Sequence, residues 1–298
     1  MSSGDSGLLP YISDGLDRLK RESQERARVE PLPTWSEHLR GAPNALLRSA
    51  LFGVQRRGRR RYVKGMTIPS QRPLTMTYTG ERLDQADLDI LLQILHYARG
   101  KRAEEPIVFA TGRLLGDIGR CNGRSDYLWI RGRLEALSAC TFVVSDDRGN
   151  RIYTGPFISG AQSDREGRSA FQFNTLLRPL FENYTLIRWD DRLELKGKQL
   201  AKWLHAYFVT HALAHPLKVT TLMAWCGTDG KSLKEFRRQL RNALGTLQQR
   251  GHIQSYFIDG TDLVHVRGIP SASQAKHLMR KLSGQLPLAE PARRENAG

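Results

Sequence analysis

Residues 217–267 read LKVTTLMAWCGTDGKSLKEFRRQLRNALGTLQQRGHIQSYFIDGTDLVHVR and are the most informative part of the chain. Its pattern predicts four elements in order: a short helix over 220–225, a glycine-containing turn over 227–230, a long basic helix over 231–250 and a β-hairpin turned at 259–260. This is the order of elements in a winged helix-turn-helix module. Such a module presents its long helix to an acidic, grooved partner, and duplex DNA is the leading candidate.

The long helix has an apolar face and a polar face. The apolar residues recur at helical spacing and are Leu233, Phe236, Leu240, Leu244 and Leu247. The candidates for DNA contact on the other side and its shoulder are Lys231, Lys234, Glu235, Arg238, Arg241 and Asn242. In the major groove, arginine bonds guanine, asparagine bonds adenine and glutamate accepts from the cytosine amino group. A phosphate can also dock at the start of the helix near Ser232.

The overall charge favours a polyanionic partner. The 298 residues include 46 Lys and Arg against 30 Asp and Glu, which gives a net charge of +16 and a pI near 10.2. Nucleic acid is the simplest partner for such a balance, and an anionic membrane surface is the weaker alternative. For the long helix taken alone, the alternative to DNA binding is a basic face that contacts only solvent. The elements around the helix favour DNA binding.

The lack of a spanning segment or signal-peptide pattern and the spacing of the cysteines point to a cytoplasmic protein. The chain has no apolar run near the roughly 18 residues of a spanning helix, and its first residues lack the pattern of a signal peptide. Its three cysteines, Cys121, Cys140 and Cys226, are far apart and form no CxxC pair. We therefore expect reduced thiols, with neither a disulfide framework nor a zinc finger.

The same order of elements occurs a second time, upstream. It begins with a predicted buried helix over 84–99, which starts with a capping box of Asp84 and Asp87. A strand over 107–109 and helices over 111–118 and 124–139 follow. The last element is a hairpin over 141–153, and strand-like runs at 156–158 and 169–173 are predicted to enlarge its sheet. The predicted fold is α+β, with two tandem winged-helix domains. The predicted divisions are a flexible N-terminal segment over 1–33, the first domain over 34–192, the second over 193–270 and a flexible tail over 271–298.

The first domain offers further candidates for nucleic-acid contact. On the helix over 124–139, Arg124 can meet a phosphate, while Arg131 and Arg133 flank an outward side. An exposed Trp129 on that side suits protein contact as well as DNA contact. A dense basic run beside Tyr62 could hold phosphates or single-stranded DNA, with Tyr62 stacking on a base. Its members are Arg56, Arg57, Arg59, Arg60, Arg61 and Lys64. A flexible basic loop without a defined role is the equal alternative for this run.

Catalytic motifs are absent from the sequence. Gly230-Lys231-Ser232 imitates the end of a phosphate-binding loop, but Trp225 stands where the motif requires glycine. His211 and His215 are four residues apart, with His205 further up the same helix, but the general-base glutamate of a zinc protease is missing. We therefore expect no enzymatic activity, no cofactor and no metal.

Several ordered segments of the chain resemble the TrfA family of plasmid replication initiators. They are PNALLRSALFG at 43–53, RRRY at 59–62, YTGERLDQADLD at 78–89, QLAKWLHAY at 199–207, TH at 210–211, PLKV at 216–219, CG at 226–227 and FRRQLRNAL at 236–244. The similarity extends over roughly residues 32–267.

This resemblance implies a protein that binds direct repeats, called iterons, at a plasmid origin and helps to open adjacent A+T-rich DNA. It also implies partners: the host initiator DnaA, the replicative helicase and the sliding clamp. Monomers of such initiators are active, and a monomer–dimer equilibrium limits copy number. The family's first domain usually carries the dimer contacts, and its second reads half of the repeat. Residues 285–288, QLPL, look like the start of a clamp-binding motif, but Ala289 replaces the preferred phenylalanine.

Two other classes of function stay open at this point. A winged-helix transcriptional regulator would bind a palindrome at a promoter rather than repeats in an origin. An enzyme acting on DNA would cleave a strand with a divalent metal.

Overall fold

The structure of this chain is a computed structural model. It describes residues 31–55, 58, 60–71, 74–102, 105–146, 148–163, 168–230 and 232–283. Several predictions fall outside these residues, namely those on most of the N-terminal segment, Arg59, Lys231 and residues 285–288. Helices and strands are mixed along the chain, which confirms the α+β composition of the fold.

The elements follow one another with short connections. The strands are β1 (Leu39–Pro43), β2 (Phe52–Gly53), β3 (Tyr62–Ile68), β4 (Thr75–Glu81), β5 (Leu83–Asp84), β6 (Ile107–Ala110), β7 (Thr141–Ser145), β8 (Arg151–Gly155), β9 (Ile158–Ser163), β10 (Arg168–Phe173), β11 (Tyr184–Arg188), β12 (Leu217–Lys218), β13 (Ile253–Ile258) and β14 (Leu263–Gly268). The helices are α1 (Asn44–Leu47), α2 (Gln85–Ala98), α3 (Thr111–Asp117), α4 (Arg124–Ala139), α5 (Trp189–Glu194), α6 (Gln199–Val209), α7 (Val219–Trp225), α8 (Leu233–Gln249) and α9 (Ala272–Ser283), with a 3-10 helix at Thr175–Glu182.

Helix α2 lies at the centre of the first half. Its leucines and isoleucines cover most of its circumference, and they are buried. The expected capping box begins the helix: the Asp84 carboxylate accepts from the N–H groups of Ala86 and Asp87, and the Asp87 carboxylate accepts from the Asp84 N–H. The box satisfies backbone donors that would otherwise be unpaired inside the protein.

The predicted hairpin of the first half belongs to a four-stranded antiparallel sheet with the order β3-β4-β7-β8. The inner face of this sheet carries Tyr78 and Phe142, which are paired across β4 and β7 and buried. The two later runs do not enlarge this sheet, as the sequence suggested. They form β9 and β10, which pair with β6 in a separate three-stranded sheet.

The second half combines three helices with a small sheet. Helices α6, α7 and α8 share a core, and β12, β14 and β13 form an antiparallel sheet in that order. The hairpin of β13 and β14 turns at residues 259–262, as Asp259-Gly260 predicted. Leu217 pairs with Val264, so the strand before α7 is joined to the hairpin that follows α8.

A buried ion cluster joins the two halves. Arg192 Nε donates to one Asp89 oxygen at 2.6 Å, and Lys202 Nζ donates to the other. Arg192 Nη2 also donates to the backbone and side-chain oxygens of Gln85 at 3.2 and 3.0 Å. Nearby, the Trp203 indole N–H donates to the Ser49 carbonyl at 3.1 Å. Since Asp89 lies on α2 and Lys202 on α6, the cluster links the central helix of one half to the first helix of the other.

The turn between α7 and α8 is also held by the first half. The Val54 N–H donates to the Cys226 carbonyl at 2.8 Å, and Arg82 Nη2 donates to the Gly227 carbonyl at 2.9 Å. Gly227 has a φ of 60°, and a Cβ at this position would lie 2.9 Å from Ala50 Cβ. Glycine is therefore required by the backbone conformation and by the close approach of Ala50.

Parts of both predicted terminal segments lie among the described residues and make contacts with the rest of the chain. Leu32 is buried, and its backbone exchanges hydrogen bonds with Gly100 and Lys101. Helix α9 begins where the C-terminal tail was expected, and the Gln274 side chain donates to the Val209 carbonyl at 2.9 Å. Among the described residues, no helix is long and apolar enough to cross a membrane.

Candidate nucleic-acid interface

Helix α8 presents the largest set of predicted contact residues. Its apolar face, which includes Phe236, Leu240 and Leu244, is buried against α6 and α7. The Ser232 hydroxyl caps the helix by accepting from the Glu235 N–H at 3.3 Å. On the opposite side the structure places four exposed residues in one strip: Lys234, Arg238, Arg241 and Asn242.

Arg238 is held by a neighbour on the same helix. Its Nε and Nη2 donate to the two oxygens of Glu235 at 2.9 and 2.5 Å, and this hydrogen bonding raises the pKa of Arg238. The Arg238 side chain is still 66 % exposed. Because a guanidinium has five N–H donors, Nη1 and the second Nη2 proton can donate to a base while Glu235 holds the other side.

The turn of the β13–β14 hairpin is fixed to α8 by an ion pair. Arg237 donates to both oxygens of Asp262, at 3.0 and 2.5 Å, and these bonds lower the pKa of Asp262. The Asp259 carboxylate accepts from the N–H groups of Thr261 and Leu263 and so organises the turn. The hairpin therefore stands beside the exposed strip of α8 in a defined position.

The outer face of the hairpin carries residues that the sequence analysis missed. Phe257 is 59 % exposed, and its ring stacks on His265 at 4.2 Å between centroids. On the same two strands, Ser255 pairs with Arg267. The signal was present in the sequence, because alternate residues of two paired strands lie on one face of a sheet.

Helix α4 of the first half meets the predictions only in part. Arg124 and Arg131 are exposed, and Arg131 lies 3.2 Å from Glu135. Arg133 is buried instead, and its guanidinium pairs with Glu81 at 2.5 Å and with Asp87 at 3.6 Å. The expectation of an outward Arg133 is therefore wrong, because carboxylates inside the fold already neutralise its charge.

Trp129 of α4 also lies differently from the prediction. Trp129 is half-buried rather than exposed, and the Arg120 guanidinium lies 3.7 Å from the centroid of its ring. The exposed apolar residues of this helix are Tyr127 and Leu128, which are 39 % and 64 % exposed. An apolar contact surface on α4 would therefore be formed by these two residues.

The basic run of the first half is divided by the fold. Arg60 turns inward and pairs with Asp84 at 2.7 Å and with Asp87. The prediction that Arg60 contacts a phosphate is therefore wrong, because its charge is paired with the two carboxylates of the capping box. Arg61 and Tyr62 remain exposed at the start of the edge strand β3. With the exposed Lys64 on the same strand, they are the described part of the run that could still contact a nucleic acid.

Comparisons with known proteins agree with the sequence motifs. The model of the TrfA protein family matches residues 21–268. The plasmid replication initiator protein TrfA of Escherichia coli is 28 % identical over 244 residues, which are 78 % of this chain and 63 % of that protein.

Among solved structures, two crystal structures of domains 2 and 3 of RctB are similar at 10 % identity, with TM-scores of 0.48 and 0.42. They cover 76 % and 85 % of this chain and 98 % and 99 % of those chains. The family match extends over most of the chain, and this protein belongs to the TrfA family.

Proposed function

We propose that this protein is a plasmid replication initiator that binds duplex DNA at iterons of a plasmid origin. The observation that carries the proposal is the strip of Lys234, Arg238, Arg241 and Asn242 on α8, beside a hairpin fixed to the same helix. Membership of the TrfA family supports the purpose of that surface, since its relative in Escherichia coli is named a plasmid replication initiator. The aligned region spans 63 % of that relative, so the whole activity is part of the proposal.

The proposed architecture is a pair of winged helices. The order α3, α4, β7, β8 in the first half is repeated as α7, α8, β13, β14 in the second. In each copy a short helix, a longer helix and a hairpin follow one another, as in winged helix-turn-helix modules. Helix α8 would enter the major groove and read bases, with a phosphate docked near Ser232.

The first half would contribute contacts that do not depend on sequence. Arg124, Arg131 and Arg61 are exposed and can approach phosphates, while Tyr62 can stack on an unpaired base. Strand opening in the adjacent A+T-rich DNA would be driven by binding energy, without a nucleotide cofactor or enzymatic activity of this chain. Host DnaA, the replicative helicase and the sliding clamp would then be recruited, and a monomer–dimer equilibrium would set copy number.

The test is a binding measurement on the DNA that flanks the gene. Fluorescence anisotropy of the full chain should show tighter binding to direct repeats than to a shuffled duplex of the same composition. The logarithm of affinity should fall linearly with the logarithm of salt concentration. Equal affinity for both duplexes would overturn the proposal, and preference for a promoter palindrome would favour a transcriptional regulator. Metal-dependent strand cleavage by the purified protein would instead establish an enzyme.

A further inference from the structure

Three potential metal ligands from separate segments meet beneath the end of α8. Asp191 lies on α5, His205 on α6 and His252 just after α8, and one ligand atom from each lies within 4.8 Å of the others. His205 is 3 % exposed, and the side chain of His252 is 4 % exposed. Nδ1 of His205 and Nε2 of His252 are buried without a hydrogen-bond partner. Buried polar atoms are usually paired, so two unpaired imidazole nitrogens in one place indicate a missing partner.

The fold positions His252 by a specific helix ending. Gly251 has a φ of 71°, its N–H donates to the Gln248 carbonyl, and the His252 N–H donates to the Leu247 carbonyl at 2.8 Å. These are the two bonds of a Schellman motif, which turns the chain back over the helix end. His252 is thereby directed toward α6, and the centroids of the His205 and His252 rings lie 5.0 Å apart.

We propose that Asp191, His205 and His252 bind a divalent transition metal ion, with Zn²⁺ as the best match. Two imidazoles and one carboxylate are ligands that Zn²⁺ accepts at about 2.0–2.2 Å, usually in tetrahedral geometry. Donors on such an ion lie roughly 3.3–3.5 Å apart, and the three ligand atoms here lie within 4.8 Å of one another. Glu194 Oε2 lies 3.9 Å from His252 Nε2, at the edge of this three-residue cluster.

The charges around the cluster allow a cation to enter. Asp191 and Glu194 face Arg188 at 3.6 Å and Arg250 at 3.2 Å, and both arginines are at the surface. Exposed ion pairs of this kind are weak and easily exchanged. The deeper cations, Arg192 and Lys202, share the carboxylate of Asp89.

A bound ion would tie three segments together at one point. Helix α5 follows directly on β11 of the first half, α6 begins the second half, and His252 ends the connection from α8 to the hairpin. The ion would have a structural role, because it would fix the end of α8 relative to both α5 and α6. This site differs from the His211 and His215 spacing in the sequence, since His205 acquires partners from distant positions.

The experiment is a titration of the metal-free full chain with Zn²⁺ by calorimetry, paired with thermal melting. We expect one ion per chain with micromolar or tighter affinity and a higher melting temperature. His252→Gln and Asp191→Asn should each weaken Zn²⁺ binding by at least roughly 10- to 100-fold. Mutating a residue that only hydrogen-bonds a metal ligand already reduces metal affinity by this factor. His215→Gln changes an exposed histidine outside the cluster, is the matched histidine control and should leave binding unchanged.

Two further measurements distinguish metal binding at this cluster from binding at a thiol and from loss of folding. Co²⁺ in place of Zn²⁺ should give the visible spectrum of nitrogen and oxygen ligands in wild type and in Cys121→Ser, which removes the exposed thiol. Circular dichroism of the metal-free variants separates lost binding from lost folding, and Asp191→Asn changes only a partly exposed side chain. Absence of stoichiometric binding to the wild type, or unchanged affinity in both ligand variants, would overturn the proposal.

Discussion

Arg238 illustrates how one exposed side chain can be prepared for recognition. Glu235 binds Nε and one proton of Nη2, which leaves the outer edge of the guanidinium for another acceptor. Guanine offers two acceptors, O6 and N7, to such an edge. We therefore regard Glu235 as a positioning residue for Arg238 as well as a candidate for direct contact with cytosine.

Replacing Arg238 should weaken sequence-specific binding more than general binding. We expect Arg238→Ala to reduce affinity for the repeat by roughly 5- to 150-fold and to relax the preference at one base position. Arg102→Ala is a matched control, because Arg102 is also exposed and faces an acidic residue three positions away, Glu105. Anisotropy on repeat and shuffled duplexes measures both effects. An equal loss on the two duplexes would remove Arg238 from base recognition.

His96 makes stability dependent on pH. Its Nδ1 accepts from the Trp35 indole at 3.0 Å, so the native contact requires a neutral ring. Burial and then Arg40 lower its pKa to about 4, below the value near 6.5 of an unfolded chain. The stability from this group is present above about pH 6.5 and is lost as the pH falls toward 4. Urea unfolding should show a smaller decline over this range in His96→Gln than in wild type, and equal declines would contradict this account.

Residue-level predictions succeeded where periodicity alone decides exposure. Arg238 and Asn242 are exposed because the apolar spacing of α8 fixes which side is buried. Arg60 and Arg133 escaped prediction because their partners, Asp84 and Asp87, are distant in sequence and lie inside the fold. The capping box was visible in the sequence, but the cations that neutralise it were not.

At the scale of elements, helix ends were recognisable from local chemistry. Ser271 and Gln274 form a capping box for α9: the Gln274 N–H donates to the Ser271 hydroxyl, and the Ser271 N–H donates to Gln274 Oε1 at 2.9 Å. The serine-to-glutamine spacing of three is a known start signal for a helix. It could have placed a helix where the sequence analysis expected a flexible tail.

The cap of α8 can be tested without changing its exposed strip. Ser232→Ala removes the acceptor for the Glu235 N–H and should lower the free energy of unfolding by about 1 kcal/mol. Ser232→Asn keeps a side-chain acceptor and should retain most of the stability. Denaturant unfolding of the two variants gives the comparison. If the serine cap does not contribute to stability, both variants will have the same free energy of unfolding as wild type.

At the scale of the whole molecule, the two halves are joined by charges of very different burial. Asp89 pairs with Arg192 and Lys202 where all three are buried, whereas Asp229 pairs with Arg82 near the surface. The sequence predicted a division between residues 192 and 193 but not the partners across it. Contacts between segments more than 100 residues apart have no local signal.

Removing Asp89 should be far more costly than removing Asp229. Asp89→Ala leaves two buried cations without a partner and should destabilise the protein by about 3–5 kcal/mol. Asp229→Ala breaks an exposed pair and should cost about 0–1 kcal/mol. Both values come from denaturant unfolding of the full chain. Similar losses in the two variants would show that burial does not govern these pairs.

The hydrogen bonds from the first half to Cys226 and Gly227 fix the position of α8 and so restrict the length of a DNA site that both halves could contact. Because the turn before α8 is bonded to Val54 and Arg82, the distance from α8 to Arg124 and Arg131 is set by the protein and not by the DNA. In the proposed complex with a duplex of about 10–10.5 base pairs per turn, the two sets of contacts would then fall at one helical phase. For an iteron bound in this way, the spacing between its two halves matters as much as its bases, since half a turn of added DNA would carry one half to the far side of the duplex.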